Sequence, residues 1–342
     1  MSRKRYDEDD IKRLMFSRDT LASMEEQSNK VIELTMAGKC PEEIMQELCH
    51  DNVQWKGSQT YSRKSWQQLQ RFVALPPSRR PLFNGGGVRE ISRLIMQSKK
   101  IVVVVGAGIS VSCGVPDFRG TNGVYRKLRK IYPNLSRPED ALSIDYFDLN
   151  PSVFYNFARA IYPANVQPSV THLFLALLEK RRKLLRLYTQ NVDMLERKAG
   201  ITKLIYCHGS FATATCRRCG VQVPGRRIER NILAQKIAYC RHCRVAGKVS
   251  VMKPDIIFFG EPLPGDFFDC IRGDLEEADL LLVMGTSLKV NPVCYIPDST
   301  PRHVPRVLIN LEKVGQTFDI EIFGSCDDVV KELANQMGEN FQ

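Results

Sequence analysis

At 342 residues, with 43% hydrophobic and 25% charged side chains, the chain has the make-up of an ordinary globular protein and enough length for one large domain with a smaller one attached. No run approaches the ~20 apolar residues of a membrane span, and the start Met1-Ser2-Arg3-Lys4-Arg5 lacks the apolar core of a secretion signal, so a reducing cytosolic or nuclear compartment is expected. Eleven cysteines, an odd number, exclude complete disulfide pairing, and a net charge of +11 favours acidic partners: cofactor phosphates, nucleic acid or chromatin.

Three helical patterns precede the Pro-rich stretch 75–81. The first carries Ile11, Leu14 and Met15 behind Asp9 and Asp10 as N-terminal cap; the second opens at Pro41 and carries Ile44, Met45 and Leu48; the third carries Trp66, Leu69, Phe72 and Val73. Residues 1–81 are therefore expected to form a helical accessory module. After Gly85-Gly86-Gly87, a helix through Ile91, Leu94 and Ile95 leads into Ile101–Val105, an unbroken β-branched run that suits a central parallel strand covered on both faces. Similar runs recur at 184–188, 256–259, 280–284 and 307–309, with helical patterns between several of them. The fold class expected is α/β: a doubly wound, Rossmann-like parallel sheet with a smaller inserted domain, helical plus a zinc ribbon. The core then spans 85–335, with the large domain from 85–124, 185–210 and 252–335 and the small one from 125–184 and 211–251.

The first strand ends in Gly106-Ala107-Gly108, a turn that lets backbone approach a pyrophosphate. Its spacing is not G-x-G-x-x-G, and no acidic residue stands about 20 positions later, so a dehydrogenase is disfavoured. Polar residues close further strands: Gln190-Asn191-Val192-Asp193, Gly285-Thr286-Ser287 and Asn310-Leu311-Glu312. Such groups at the carboxyl edge of a parallel sheet are where it binds its ligand. Pro116-Asp117-Phe118-Arg119 could hold ribose and phosphate with an aromatic cover. Cys216, Cys219, Cys240 and Cys243 are spaced C-x₂-C-x₂₀-C-x₂-C, a ribbon for one structural Zn²⁺ with a closed shell. His208, just upstream, offers an imidazole base.

Taken together, Gly106–Ser110, Val115–Arg119, Thr189–Asp193, Cys207–Ser210, the four cysteines, Lys253–Glu261 and Gly285–Leu288 resemble the sirtuins, NAD-dependent protein lysine deacylases, from about Gly85 to Lys331. Val111–Gly114 and Ile205–Ala214 are similar to the class that includes the main nuclear histone deacetylase. The resemblance implies NAD as co-substrate, with Gly106, Ala107, Gly108, Asp117, Phe118 and Arg119 around its ribose and pyrophosphate. Gln190, Asn191 and Asp193 would meet the nicotinamide half, and Gly285, Thr286, Ser287, Asn310, Glu312 and Cys326 the adenosine half. Ile257, Phe258, Phe259 and Gly260 would pair with an extended acyl-lysine peptide, histones among the substrates. His208, with Asn191 beside it, would be catalytic: the acyl oxygen attacks the ribose as nicotinamide leaves, His208 activates a ribose hydroxyl against the resulting alkylimidate, and the products are free lysine, nicotinamide and O-acyl-ADP-ribose. Leu311 and Gly120 depart from the family, where Arg and Ser are common, and 36–44 resembles the activator-binding helices of the nuclear member. ADP-ribose transfer to protein and a non-enzymatic zinc-ribbon scaffold are the other readings. Expected residence is nucleus or cytoplasm, with no membrane partner. Direct nucleic-acid binding stays open, since the basic clusters 126–130, 180–183 and 226–227 are scattered and read as solvated faces.

Overall fold

The computed structural model describes residues 7–37, 39–48, 69, 80–83, 85–162 and 166–339, apart from the side chains at positions 42 and 46. Six parallel strands form its main sheet: β1 (Ile101–Val105), β2 (Leu184–Thr189), β3 (Leu204–Tyr206), β7 (Leu280–Met284), β8 (Arg306–Asn310) and β9 (Ile320–Phe323), in the order β3-β2-β1-β7-β8-β9. Every residue of β1, β7 and β8 is buried, as a strand covered on both faces requires. Val103 and Val105 face the helices Val88–Gln97, Val170–Lys180 and Cys326–Gln336, while Val102 and Val104 face Phe267, Ile271 and Leu275 of the helix Gly265–Glu277. Because β2 lies on one side of β1 and β7 on the other, the chain reverses its winding direction there, which opens a crevice at the carboxyl ends of β1 and β7.

A second sheet is antiparallel, β5 (Gln222–Pro224), β4 (Gly209–Cys216) and β6 (Met252–Ile256), and belongs to a core of its own with Phe147, Phe154, Tyr155 and Phe258. The run 256–259, expected as a parallel strand, is corrected here. Its first residue ends β6, opposite Gly209, and Phe259 makes only an isolated bridge to Ser143. The aromatic rings explain the change: Phe258 packs edge-on against Phe147 at 5.4 Å, so the segment turns into the small core. The expected inner boundary also moves, because Val170–Lys180, assigned to the small domain, packs on the main sheet beside Cys326–Gln336. β3 and β9 escape the sequence reading because three- and four-residue strands carry too little pattern.

At the N-terminus the cap is Asp7, whose Oδ1 accepts from the Asp10 amide at 2.7 Å, and not Asp9 or Asp10, which lie in the first turn. A helix that the pattern did not single out follows, Arg18–Met36, capped by Ser17. Met15, Phe16 and Met24 join the core under Gly265–Glu277, with Phe16 5.8 Å from the ring of Tyr295. Leu34, Ile44 and Leu69 form a separate small cluster. The remainder of the third helical pattern, Trp66, Phe72 and Val73, lies outside the described residues. The accessory segment is thus partly an extension of the main core. Phe16→Ala, at a site 1% exposed, is expected to destabilise by about 3–5 kcal/mol, read as a lower urea midpoint at unchanged slope.

Candidate functional site

The crevice is built from turns that approach too closely for side chains. A Cβ on Gly108 would lie 2.6 Å from Gly285 Cα, and one on Gly106 would lie 2.7 Å from Thr286 Cβ. The Gly108 amide donates to the Gly285 carbonyl at 2.8 Å, and Gly285 adopts a φ of 60°, in the left-handed region that favours glycine. Gln190 ties three strand ends together: its amide donates to Val105 O at 3.0 Å and its Nε2 to Thr286 Oγ1 at 2.8 Å. Asn310 Nδ2 donates to Thr286 O at 3.1 Å and Glu312 O at 2.7 Å, and Cys326 lies under Ile309 O. Ala107 is half-buried in the turn; Ser287 and the Glu312 side chain are exposed at the rim. The cradle has exposed backbone at Gly108 and no room for a Cβ, which fits a phosphate-bearing cofactor drawn against main chain.

Beneath it lies a buried polar knot. Asn191 Nδ2 donates to Gly106 O at 3.2 Å and stands 3.4 Å from both Ser110 Oγ and Glu196 Oε1. Thr189 Oγ1 donates to Glu196 Oε1 at 2.5 Å, and Asp193 Oδ1 accepts from the Leu195 amide at 3.0 Å. The chain reaches this arrangement through Met194, held at φ 64°, a strained value for a non-glycine residue. The Ser169 amide donates to His172 Nδ1 at 3.2 Å, leaving the ring proton on Nε2, and this ring and the two carboxylates offer atoms within 4.8 Å of one another. His172, Asp193 and Glu196 are all buried. Burial, with the charge of Asp193 next, pushes Glu196 up to about 8, and burial raises Asp193; burial lowers His172 to about 4. The site therefore keeps a proton among its carboxylates. Ser110 is legible only as part of the motif Gly106–Ser110, and His172 and Glu196 went unnoticed in the sequence, where a single His or Glu in a helix carries no spacing signal.

His208 sits between β3 and β4. Its Nδ1 donates to Gln190 O at 3.0 Å, so the lone pair is on Nε2, an enclosed atom with no partner among the described residues. Burial lowers its pKa from the ordinary 6.5 to about 4 and keeps the ring neutral across the physiological range. Around the neighbouring loop, Phe118 and Arg119 both lie against Tyr125, at 5.6 and 5.2 Å. A Cβ on Gly120 would meet Asp117 Oδ2 at 2.1 Å, so serine at this position requires Asp117 to move.

On the other side, the Phe259 amide and carbonyl pair with Leu142 O and the Ile144 amide, and Phe258 pairs with Glu261. Among the described residues nothing pairs with the Ile257 carbonyl or the Gly260 main chain, so any added strand meets those two. Buried Lys253 braces this turn, with Nζ 2.7 Å from Glu261 Oε2, 2.6 Å from Ile256 O and 4.2 Å from the centre of the Phe258 ring.

The four expected metal ligands come together: Sγ atoms of Cys216 and Cys243 are 3.7 Å apart, and those of Cys219 and Cys240 are 3.8 Å apart. Tetrahedral zinc with bonds of about 2.3 Å separates its sulfurs by about 3.8 Å, so the donor set fits Zn²⁺ with no open position.

Two outcomes are expected. Because the folded state holds a proton on Glu196 that the unfolded chain releases above about 4.3, stability falls as pH rises toward about 8. His172 opposes this only below its unfolded value of about 6.5. Glu196→Gln should therefore flatten the decline in Tm between pH 6.5 and 8, measured by calorimetry; a parallel decline in both proteins would refute the shared proton. Zinc analysis should find one tightly bound ion per chain, and its removal by chelator should lower Tm together with function, since β4 runs directly from Gly209 to the ligand Cys216.

A Sir2 family model matches residues 106–292, the stretch that carries the cradle, the knot, His208 and the cysteines. The chain is 40% identical over 307 residues to the NAD-dependent protein deacetylase sirtuin-1 of Rattus norvegicus, covering 90% of this chain and 55% of that protein. It is 38% identical over 323 residues to the NAD-dependent histone deacetylase sirtuin-1 of Drosophila melanogaster, covering 89% and 39%. The chain thus spans about half or less of the length of these relatives. A solved structure described as "Structural Basis for the Mechanism and Regulation of Sir2 Enzymes" is similar at a TM-score of 0.66 and 29% identity, over 73% of this chain and 97% of that one. The Gly-lined crevice, the buried polar set and the four-cysteine ribbon are joined in one chain by this match, and the chain belongs to the Sir2 family.

Proposed function

We propose that the chain is an NAD-dependent protein lysine deacetylase, carrying a structural zinc and acting on acyl-lysine of protein substrates, histones included. Nuclear residence goes with that substrate class and with the Drosophila relative's name. The observation that carries the reading is the enclosed, unpartnered Nε2 of His208, behind a cradle with no room for side chains. A lone pair kept neutral, buried and unsatisfied is an acceptor waiting for a donor that the protein itself lacks.

Gly106, Ala107, Gly108, Asp117, Phe118 and Arg119 would bind the ribose and pyrophosphate; Gln190, Asn191 and Asp193 the nicotinamide half; and Gly285, Thr286, Ser287, Asn310, Glu312 and Cys326 the adenosine half. NAD, when bound, would supply an electrophilic ribose carbon with nicotinamide as its leaving group. His208 Nε2 would accept a proton from a ribose hydroxyl, with the ring held in the required tautomer by Gln190 O. Asn191, fixed by Gly106 O, orients the site from below. Phe118 would cover the reacting centre against water. The peptide would lie along Ile257–Gly260, using the Ile257 carbonyl and Gly260 main chain left without partners among the described residues, with Phe118 and the exposed Phe259 giving an apolar wall for a neutral acyl group.

With an acetyl-lysine peptide and NAD, wild-type chain should release deacetylated peptide and O-acetyl-ADP-ribose. His208→Ala should lower turnover by about 10²–10⁴-fold with Tm and zinc content retained. Peptide that instead gains the mass of ADP-ribose would overturn the deacetylase reading in favour of transfer.

A further inference from the structure

The zinc-ribbon insert holds most of the chain's excess charge. Between residues 211 and 251 stand nine Lys or Arg and a single acidic residue, Glu229, a formal +8 of the +11 carried by all 342 residues. All nine cations are exposed. Among the described residues one of them, Arg217, is in an ion pair, with Asp148, while the neighbouring carboxylate of Asp255 is taken by Thr213 and Gln222 Nε2. A zinc held by four thiolates would remove two units of charge and leave the excess standing.

The fold gathers part of this charge at one place. Arg218 lies in the first knuckle and Arg241 and Arg244 in the second, and the sulfur contacts of 3.7 and 3.8 Å clasp the two knuckles together, with Lys248 on the return toward β6. Lys248 is tied to the second knuckle by its amide, which donates to Cys243 O at 2.9 Å. Val245 and Val249 are interleaved, 90% and 76% exposed, and Tyr239 is half exposed beside them. Like charges clasped this closely repel one another, and a metal-locked core prevents them from spreading apart. A protein partner presents mixed charge, whereas a duplex presents one phosphate charge per ~1.7 Å of axis. One tyrosine is no stacking platform, so the surface fits a backbone and not splayed bases.

We propose that the tip of the zinc ribbon, Arg218, Arg241, Arg244 and Lys248, is a docking surface for the phosphate backbone of duplex DNA, without regard to sequence. This surface is independent of the NAD crevice and of the activity proposed for it.

The test is fluorescence anisotropy of a labelled 20-base-pair duplex with the full, zinc-loaded chain, across a series of salt concentrations from about 50 mM upward. Binding should weaken with salt at a log–log slope of about −3 to −4, roughly 0.9 for each phosphate contacted. Arg241→Glu/Arg244→Glu/Lys248→Glu should weaken binding at least about tenfold, while Arg126→Glu/Arg129→Glu/Lys130→Glu, in the helix Val124–Ile131, leaves it unchanged. Should the first variant lose zinc, Arg218→Gln/Lys248→Gln tests the same surface with a smaller charge change and should lower the salt slope by about 2. Equal binding by wild type and ribbon variants, a salt-independent affinity, or equal competition by polyglutamate would overturn the proposal; the last would point to an acidic protein. Deacetylation of a free peptide is measured alongside and is expected to be the same in wild type and ribbon variants.

Discussion

The contact on which the site depends is between two turns, 106–108 after β1 and 285 after β7, that touch backbone to backbone. Neighbouring parallel strands lie about 4.8 Å apart, so turns leaving their ends in opposite directions normally diverge behind side chains. Here the Gly108 amide reaches the Gly285 carbonyl, and even one added carbon atom would displace the pair. The consequence is a floor of exposed main chain at the point where the sheet reverses its winding. Gln190 can then reach across from β2 to Thr286, and Asn191 can reach Gly106, because nothing bulky stands between them.

That closeness has an electrostatic cost. Asn191, Asp193 and Glu196 follow the buried strand end at Thr189, and two carboxylates are enclosed with one imidazole and, among the described residues, no buried cation beside them. An interior tolerates this only by neutralising a group, which is the physical content of the raised pKa of Glu196 and the lowered one of His172. His208 is neutral for the same reason but differs in its geometry. Its Nδ1 is committed to Gln190, so Nε2 alone remains for chemistry. Its lowered pKa keeps the ring unprotonated and leaves it a weak base. A bound cofactor carrying two phosphate charges adds negative potential, which moves an imidazole back toward greater basicity.

The sequence made the main sheet legible because β1, β7 and β8 are buried on both faces and read as solid β-branched or leucine runs. It made the metal legible because four thiols at C-x₂-C spacings have few other uses in a reducing compartment. The same rule misled at 256–259, since an apolar run bears no mark of which core it enters, and Phe258 follows Phe147 and Phe154 into the small one. Met15 was legible as an apolar helix position but its place in the main core was not, and Phe16 beside it went unread, because docking surfaces have no periodicity. Glu196 was silent, and Lys253 was legible only as part of a motif and not as a buried ion pair, for a related reason: a buried charge is recognised by its partners, and Lys253 meets Glu261 only once the chain has turned back on itself.

β4 joins the parts of the molecule that pattern reading keeps separate. It begins one residue after His208 and ends on Cys216, while its neighbour β6 ends at Ile256, next to the turn braced by Lys253 and Glu261. The two strands thus link the cysteines to His208 along one path and to the turn 257–261 along the other, over eight residues and five. The zinc ribbon takes no part in the chemistry proposed for His208, yet it is joined to that histidine through β4. Its outer tip is free of that link, and charge can accumulate on it without entering the neutral crevice. An ordinary insert has to balance its charges to stay folded; one locked by a metal can keep an excess of a single sign and hold it ready for a partner of the opposite sign.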